Sequence, residues 1–343
     1  MLMLGIETSC DETAVAVVSD DRTVHSNVIL SQLDEHRPYG GVVPEIAARS
    51  HLQNLPSITR SALQEAGIPY AALEGVAATA GPGLIGGVMV GLMAAKSIAL
   101  VRKIPFVAVN HMEAHALTPR LTNAVEFPYL ALLISGGHSQ FVAVAGPNEY
   151  RIYGTTVDDA IGEAFDKTAA LLGLPYPGGP ALEQAARDGD PQAFELPRPM
   201  KGRPNCDFSF SGLKTAVRKL AEDNSVELSS DEMISNISAS FQQAAAEVVA
   251  DRTAHAAERF LEEYPEGRTI VAAGGVASNV SIRAALTKAA SDLGLEFVAP
   301  PPALCTDNGV MVAWAGIERL QIGMSDTFDF APRPRWPLDE LAL

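Results

Sequence analysis

The sequence predicts an α/β fold built twice along one chain, and three observations carry that expectation. A strand–turn–strand unit opens each half: residues 3–9, a turn at Cys10-Asp11-Glu12 and residues 13–19, then residues 129–134, a turn at Ser135-Gly136-Gly137-His138 and residues 139–145. Behind each unit, helical periodicity alternates with short apolar runs, which implies a mainly parallel sheet covered on both faces. The length of 343 residues suffices for two cores of ordinary size, and 47% apolar residues against 6% aromatic suit an alanine- and valine-rich α/β protein.

Taken in order, the first half continues with an amphipathic helix over 43–66 and a strand over 75–79. A Gly81-Pro82-Gly83 turn leads into an apolar helix over 83–101 and then a strand over 105–109. The apolar helix contains four glycines and Lys96, and its charge-free part is far short of the roughly 20 residues that a membrane span needs. It reads as a buried core helix. A short helix follows from His111, which Pro119 is expected to end. In the second half, helices are expected over 160–172, 180–187, 212–222 and 230–263, with an irregular Pro-rich stretch over 191–204. A strand over 269–273 then meets Gly274-Gly275-Val276-Ala277-Ser278-Asn279, a further helix, and a last helix over 310–317. The tail from Thr327 is Pro-rich and reads as irregular surface chain. The expected domains are 1–128 and 129–320, with part of 321–343 packing back on the first.

Composition excludes several classes. Cys10, Cys206 and Cys305 lie far apart with no Cys-x-x-Cys pair, against a disulfide framework or zinc knuckle and for a reducing cytosol. The N-terminus lacks the basic region of a signal peptide. A net charge of −16 argues against a protein that coats nucleic acid unaided. A local exception is Arg198, Lys201, Arg203, Lys214, Arg218 and Lys219, set against the single acid Asp207. This is either a solvated basic face or a footing for a phosphate backbone.

The chemistry-bearing pattern is His111-Met-Glu-Ala-His115. Positions i and i+4 share a helix face, so both imidazoles can reach one metal ion, although two ligands are fewer than a site needs. Zinc proteases place the catalytic Glu directly after the first His. Here Glu113 is two residues on, roughly 200° round the helix, which turns it away from the shared face. Three loops share a second design, an apolar strand delivering small residues with free backbone N–H groups: Gly5 to Thr13, Leu133 to Ser139 and Ala272 to Asn279. Successive amides of this kind form an anion nest. No P-loop motif and no dinucleotide fingerprint is present.

The three loops resemble those of the actin, hexokinase and Hsp70 superfamily, in which duplicated ribonuclease-H-like domains with the actin-like ATPase fold close on a nucleotide cleft. Gly5-Ile-Glu-Thr-Ser-Cys-Asp-Glu-Thr13, Thr79-Ala-Gly-Pro-Gly-Leu84, Asn110-His-Met-Glu-Ala-His115, Ser135-Gly-Gly-His138, Asp158-Asp-Ala-Ile-Gly-Glu-Ala-Phe-Asp-Lys167 and Asp207-Phe-Ser-Phe-Ser-Gly-Leu-Lys214 together resemble one family within it. That family is the universal tRNA threonylcarbamoyladenosine transferases, once labelled O-sialoglycoprotein endopeptidases, and the resemblance runs from residue 4 to about residue 316.

The resemblance implies a metal, commonly Fe²⁺ and sometimes Zn²⁺, on His111, His115 and Asp307; read alone, Asp307 is also a candidate helix cap. It implies substrate contacts from Leu133, Ile134, Ser135, Gly136 and Gly137, and from Asp166, Gly179 and Asn279. Glu183 stands where many relatives have a shorter aspartate. The implied substrates are threonylcarbamoyl-AMP and the N6 amine of the adenosine beside the tRNA anticodon, with ATP or ADP as further nucleotides. Asp11 and Glu12 are candidates for taking the amine proton, or else a solvated acidic turn. Implied partners are tRNA, a paralogous subunit without the metal site and a small ATPase, with no membrane, in the cytoplasm. The rival readings are an ATPase or small-molecule kinase of the same superfamily, an inactive nucleotide-binding scaffold, and the old peptidase label.

Overall fold

The computed structural model describes residues 1–223 and 230–341. It divides into two compact units: Met1–Val125 with Gly146–Tyr150 and Thr306–Leu343, and Glu126–Ala145 with Arg151–Cys305. In chain order the first unit takes β1 (Leu2–Glu7), β2 (Glu12–Ser19), β3 (Val24–Ser31), α1 (Leu33–His36), α2 (Pro44–Ala66), β4 (Gly75–Gly81), α3 (Ile85–Arg102), β5 (Phe106–Asn110) and α4 (His111–Asn123). The second takes β6 (Tyr129–Ile134), β7 (Ser139–Gly146), β8 (Glu149–Thr155), α5 (Ile161–Leu171), α6 (Gly178–Ala186), α7 (Ser211–Asp223), α8 (Asp231–Glu263), β9 (Thr269–Ala273), α9 (Val280–Asp292), β10 (Glu296–Val298) and α10 (Pro302–Cys305). The chain then returns to the first unit with α11 (Gly309–Gln321).

Each unit holds one five-stranded sheet, ordered β3-β2-β1-β4-β5 and β10-β9-β6-β7-β8. Numbered from its own first strand, each has the same order, so the duplication read from the sequence is real. The sheets are mixed, not mainly parallel as expected. In the first, β1–β2 and β2–β3 run antiparallel while β1–β4 and β4–β5 run parallel. In the second, β6–β7 is antiparallel and β6–β9 and β9–β10 are parallel. The tight turns after β1, β2 and β6 permit only antiparallel neighbours, whereas β4, β5, β9 and β10 arrive through helices. The edge strands β3, β8 and β10 were not anticipated. Polar residues such as His25, Asn27 and Glu149 interrupt the apolar alternation that marks a strand.

The expected domain boundary at 320 is corrected to 305/306, because α11 is packed into the first unit. A Cβ on Gly5 would lie 2.2 Å from the Gly309 carbonyl oxygen and 2.4 Å from the Ala313 nitrogen. One on Gly309 would lie 2.5 Å from the Ala16 nitrogen. Helix and strand backbones therefore touch, and only glycine permits that approach. The tail is not mere surface chain either. Trp336 and Leu338 are buried, with Trp336 in the first unit's core. The Arg333 amide donates to the Ala80 carbonyl at 2.7 Å and the Asp326 amide to that of Phe106 at 2.8 Å.

Two helices also depart from expectation. α4 continues past Pro119 to Asn123. Proline removes one amide donor, but α4 is buried over almost its whole length, and that packing outweighs a missing bond. α3 is long and apolar enough to cross a membrane by length and composition, yet one face packs on the sheet through Val88, Leu92, Ala95 and Ala99. Its outward face is not buried as expected, for Ile85, Met89, Met93, Leu100 and Val101 are exposed there.

Candidate functional site

β5 ends on Asn110, whose side-chain oxygen accepts from the Met112 amide at 2.9 Å and whose amide donates to the Trp336 carbonyl at 2.8 Å. That cap starts α4 at a fixed point and aims His111 and His115 along one face. Asp307 arrives from the turn before α11. The cap of α11 is Asn308, whose oxygen accepts from the Met311 amide at 2.9 Å, so Asp307 does not serve as the cap.

The three predicted ligands meet. Asp307 Oδ1 lies 3.1 Å from His115 Nε2 and 3.5 Å from His111 Nε2, and the three donor atoms all fall within 4.8 Å of one another. The two rings stand edge-on at 86°, both buried, while Asp307 is part-exposed. Two imidazole nitrogens and one carboxylate oxygen, open on the Asp307 side, fit a catalytic divalent ion better than a closed structural site. His115 Nδ1 is buried without a hydrogen-bond partner.

Behind His111 stands Glu7, which sequence reasoning missed. Its Oε2 is 3.1 Å from His111 Nδ1 and accepts from Thr79 Oγ1 at 2.5 Å, while Oε1 accepts from the Ser9 amide at 2.5 Å. A carboxylate on Nδ1 fixes the ring and leaves Nε2 for the shared position. The available signal was a charged residue inside an otherwise apolar strand. Burial opposes a charge on His111, yet the Asp307 and Glu7 carboxylates together hold its pKa up to about 9. Burial likewise opposes ionisation of Glu7, but His111 beside it keeps that carboxyl below its usual range.

A metal ion held here would have to displace the His111 proton, so its affinity should fall about tenfold for each pH unit below about 9. A competing-chelator titration between about pH 9 and about pH 7, with one proton released per ion, checks this; a flat profile contradicts it. In the metal-free protein the same raised pKa stabilises the fold below the unfolded value of about 6.5, and that contribution is lost as pH rises through about 9.

Asp11 and Glu12 sit at the tip between β1 and β2, Asp11 buried and Glu12 part-exposed. Burial pushes the Glu12 carboxyl up to about 10, with the Asp307 and Asp11 charges adding to it. A protonated Glu12 cannot accept a proton, and positive charge at Asp307 would relieve one of the causes. Glu113, as its spacing predicted, points away from the triad. It is fully buried and accepts from Tyr150 Oη at 3.0 Å.

The second unit carries the other predicted residues. Leu133 and Ile134 are buried at the end of β6, and the Ser135 amide donates to the His138 carbonyl at 2.9 Å. Gly136 and Gly137 are exposed, with open space where a side chain would stand. α5 begins directly beneath them, since a Cβ on Gly162 would come within 2.5 Å of the Ser135 carbonyl oxygen. Asp166 Oδ1 accepts from the Gly178 and Gly179 amides at 2.9 and 3.1 Å, which ties α5 to the start of α6. Burial raises the Asp166 pKa, and those two amides oppose the rise. Glu183 Oε1 accepts from the Val280 amide at 2.8 Å. Asn279 caps α9 through the Ile282 amide at 3.0 Å and donates to Gln242 Oε1 at 2.8 Å. Gly274, at φ +98°, lies against Ile134 and brings this third loop beside the hairpin. Lys167 does not pair with Asp166; it bridges Asp159 and Glu163 at 2.9 and 2.6 Å.

Most of the basic segment is neutralised. Arg198 and Lys201 share Glu247, Lys214 holds Asp159 at 2.6 Å, and Arg218 faces Glu222. Arg203 and Lys219 remain exposed.

A family model described as tRNA N6-adenosine threonylcarbamoyltransferase (TsaD) matches residues 23–314. The protein of that name from Paramagnetospirillum magneticum is 57% identical over 342 residues, covering 100% of this chain and 98% of its own. The one from Rhodospirillum rubrum is 58% identical, covering 98% and 94%. Among solved structures, full-length HypF in a phosphate- and nucleotide-bound form superposes on 94% of this chain and 47% of its own, with TM-score 0.58 and 15% identity. HypF from T. kodakarensis gives 0.59 over 94% and 48%, also at 15% identity. These two share the fold.

Proposed function

The chain belongs to the tRNA N6-adenosine threonylcarbamoyltransferase family, and on that premise we propose that it moves the threonylcarbamoyl group of threonylcarbamoyl-AMP to N6 of the adenosine 3′ to the anticodon. The tRNAs are those reading codons that begin with A, and AMP leaves. The observation that carries this reading is the convergence of His111, His115 and Asp307, with Glu7 fixing His111 from behind.

These three residues would hold one Fe²⁺ or Zn²⁺. When bound, such an ion supplies Lewis-acid polarisation of a carbonyl, the help that a weakly nucleophilic exocyclic amine requires. The backbone amides of Gly136 and Gly137 receive the phosphate of the leaving AMP, on a hairpin closed by the Ser135 amide. Asp166 keeps Oδ2 for the ribose hydroxyls while Oδ1 is held by the Gly178 and Gly179 amides. Gly179 contributes backbone; Asn279 and Glu183 act by holding the third loop in place. Asp11 takes the N6 proton, or Glu12 once positive charge beside Asp307 has lowered its raised pKa, with the phosphate of the leaving group as the alternative acceptor. Asp166→Asn leaves one hydrogen-bonding oxygen but no charge, so it should raise KM for the adenylate roughly 10-fold with little change in metal content. An unchanged KM removes Asp166 from the substrate site.

For partners, we propose tRNA, a paralogous metal-free subunit and a small ATPase, in the cytoplasm and without a membrane. The exposed stripe Ile85, Met89, Met93 and Leu100 on α3 offers the paralogous subunit an apolar seat. Met93→Asp should weaken that association at least about 10-fold in a sedimentation or titration assay, with metal content intact. Unchanged association moves the interface elsewhere.

The test of the reading supplies tRNA, labelled threonylcarbamoyl-AMP and the partners, and analyses the nucleosides of the recovered tRNA. Labelled N6-threonylcarbamoyladenosine is expected. ATP turnover without tRNA and without labelled nucleoside would instead favour an ATPase or small-molecule kinase of the same superfamily, whose Mg²⁺ is ordinarily held by carboxylates and water.

A further inference from the structure

A buried hydrogen-bond chain runs from the loop before α2 to the tip that carries Asp11 and Glu12. The Val43 amide lies 3.3 Å from His36 Nδ1, and His36 Nε2 lies 3.1 Å from Gln32 Oε1. Gln32 Nε2 lies 3.2 Å from His51 Nδ1, and His51 Nε2 lies 3.0 Å from the Cys10 carbonyl oxygen. Gln32, His36 and His51 are at most 1% exposed.

Each link fixes the direction of the next. A backbone amide only donates, so His36 Nδ1 accepts and the neutral ring carries its proton on Nε2. That proton needs an acceptor, which makes the near atom of Gln32 its oxygen and turns the amide nitrogen toward His51. His51 Nδ1 therefore accepts, and Nε2–H donates to a carbonyl that can only accept. Burial holds the His51 pKa down, consistent with a neutral ring. Two further contacts converge on the same tip: the Gln32 backbone amide donates to the Asp11 carbonyl at 3.0 Å, and Thr13 Oγ1 lies 2.8 Å from His51 Nδ1. α3 closes over the ring, since a Cβ on Gly87 would sit 3.0 Å from His51 Cδ2.

We propose that His51 is a positioning residue for transfer, setting the residue 10–12 tip by donating Nε2–H to the Cys10 carbonyl. The proposal rests on the transferase reading, because the placement of the tip matters only if Asp11 or Glu12 serves the reacting amine. Two variants separate the bonds. Glutamine carries its amide nitrogen at about the reach of Nε2 and keeps the donation to Cys10. Asparagine places its oxygen near Nδ1, keeps the acceptor for Gln32 and Thr13, and loses the donation.

With partners, tRNA and adenylate supplied, His51→Gln should hold kcat within about threefold of wild type. His51→Asn should lower kcat on the order of 10- to 100-fold, with metal content and KM for tRNA unchanged. Equal losses in both variants, tracking their thermal stability, overturn the proposal, as does full activity in His51→Asn. Wild type can be read without any variant: long-range ¹H–¹⁵N spectra should show His36 and His51 as neutral Nε2–H tautomers, and an Nδ1–H tautomer at His51 overturns it. Absence of transfer by wild type itself would overturn the transferase reading and is told apart by that control.

Discussion

Asp307→Asn is expected to lower threonylcarbamoyl transfer on the order of 10³-fold or more while leaving the protein folded. The substitution is nearly isosteric, and Asp307 is part-exposed and not the cap of α11, so little packing changes. What it removes is the negative charge on which His111 Nε2 and His115 Nε2 converge at 3.5 and 3.1 Å. Two neutral imidazoles and an amide hold a divalent ion weakly, and polarisation of a carbonyl by such an ion is worth several kcal/mol at about 1.4 kcal/mol per tenfold in rate. His111 also loses the Asp307 charge that helps to raise its pKa to about 9, and should titrate lower. Metal analysis, a transfer assay and an NMR titration of His111 check the three parts separately. Wild-type transfer by Asp307→Asn would remove Asp307 from the site.

Gly309→Ala is expected to cost about 3 kcal/mol or more of stability and to loosen the proposed metal site with it. The added methyl would meet the Ala16 nitrogen at 2.5 Å and the Val15 carbonyl carbon at 2.7 Å, both backbone atoms of the interior strand β2. Backbone cannot rotate away as a flexible side chain can, so α11 must shift off the sheet. The same helix presents Gly316 to Ala77, and Gly5 on β1 presents no side chain to α11. Because Asp307 lies two residues before Gly309, the shift moves a proposed ligand as well as the core. Urea unfolding reads the first effect and metal affinity the second. A wild-type unfolding midpoint would show that the contact relaxes without cost.

The parts of the fold legible in the sequence were those written in local spacing. The two strand–turn–strand units and the His111/His115 pair each lie within about twenty residues, and their geometry follows from helix and strand periods. Asp307 came only through family resemblance, since nothing local ties it to histidines nearly two hundred positions earlier. Glu7 is further from His111 in sequence than any helical or hairpin spacing reaches, and Cys10 and His51 stand 41 positions apart. Such pairs exist only once the sheet order is known. The mixed character of the sheets was inferable from the short turns, but edge strands β3 and β8 carry too many polar residues to show a period of two. Pro119 misled for a related reason: a local breaker was overruled by burial on nearly every side of α4. The domain boundary failed because α11 returns to the first unit through glycine contacts that no local pattern announces.

Metal removal and restoration probes His111, His115 and Asp307 together. Wild type stripped with a chelator should lose transfer of labelled threonylcarbamoyl to tRNA, and should regain it as about one Fe²⁺ per chain is returned, one being the capacity of a single three-donor site. Asp307→Asn and His111→Ala, treated alike and shown to be folded, should not recover. Full transfer by the stripped wild type, or recovery in either variant, would contradict a metal-assisted transferase built on these three residues.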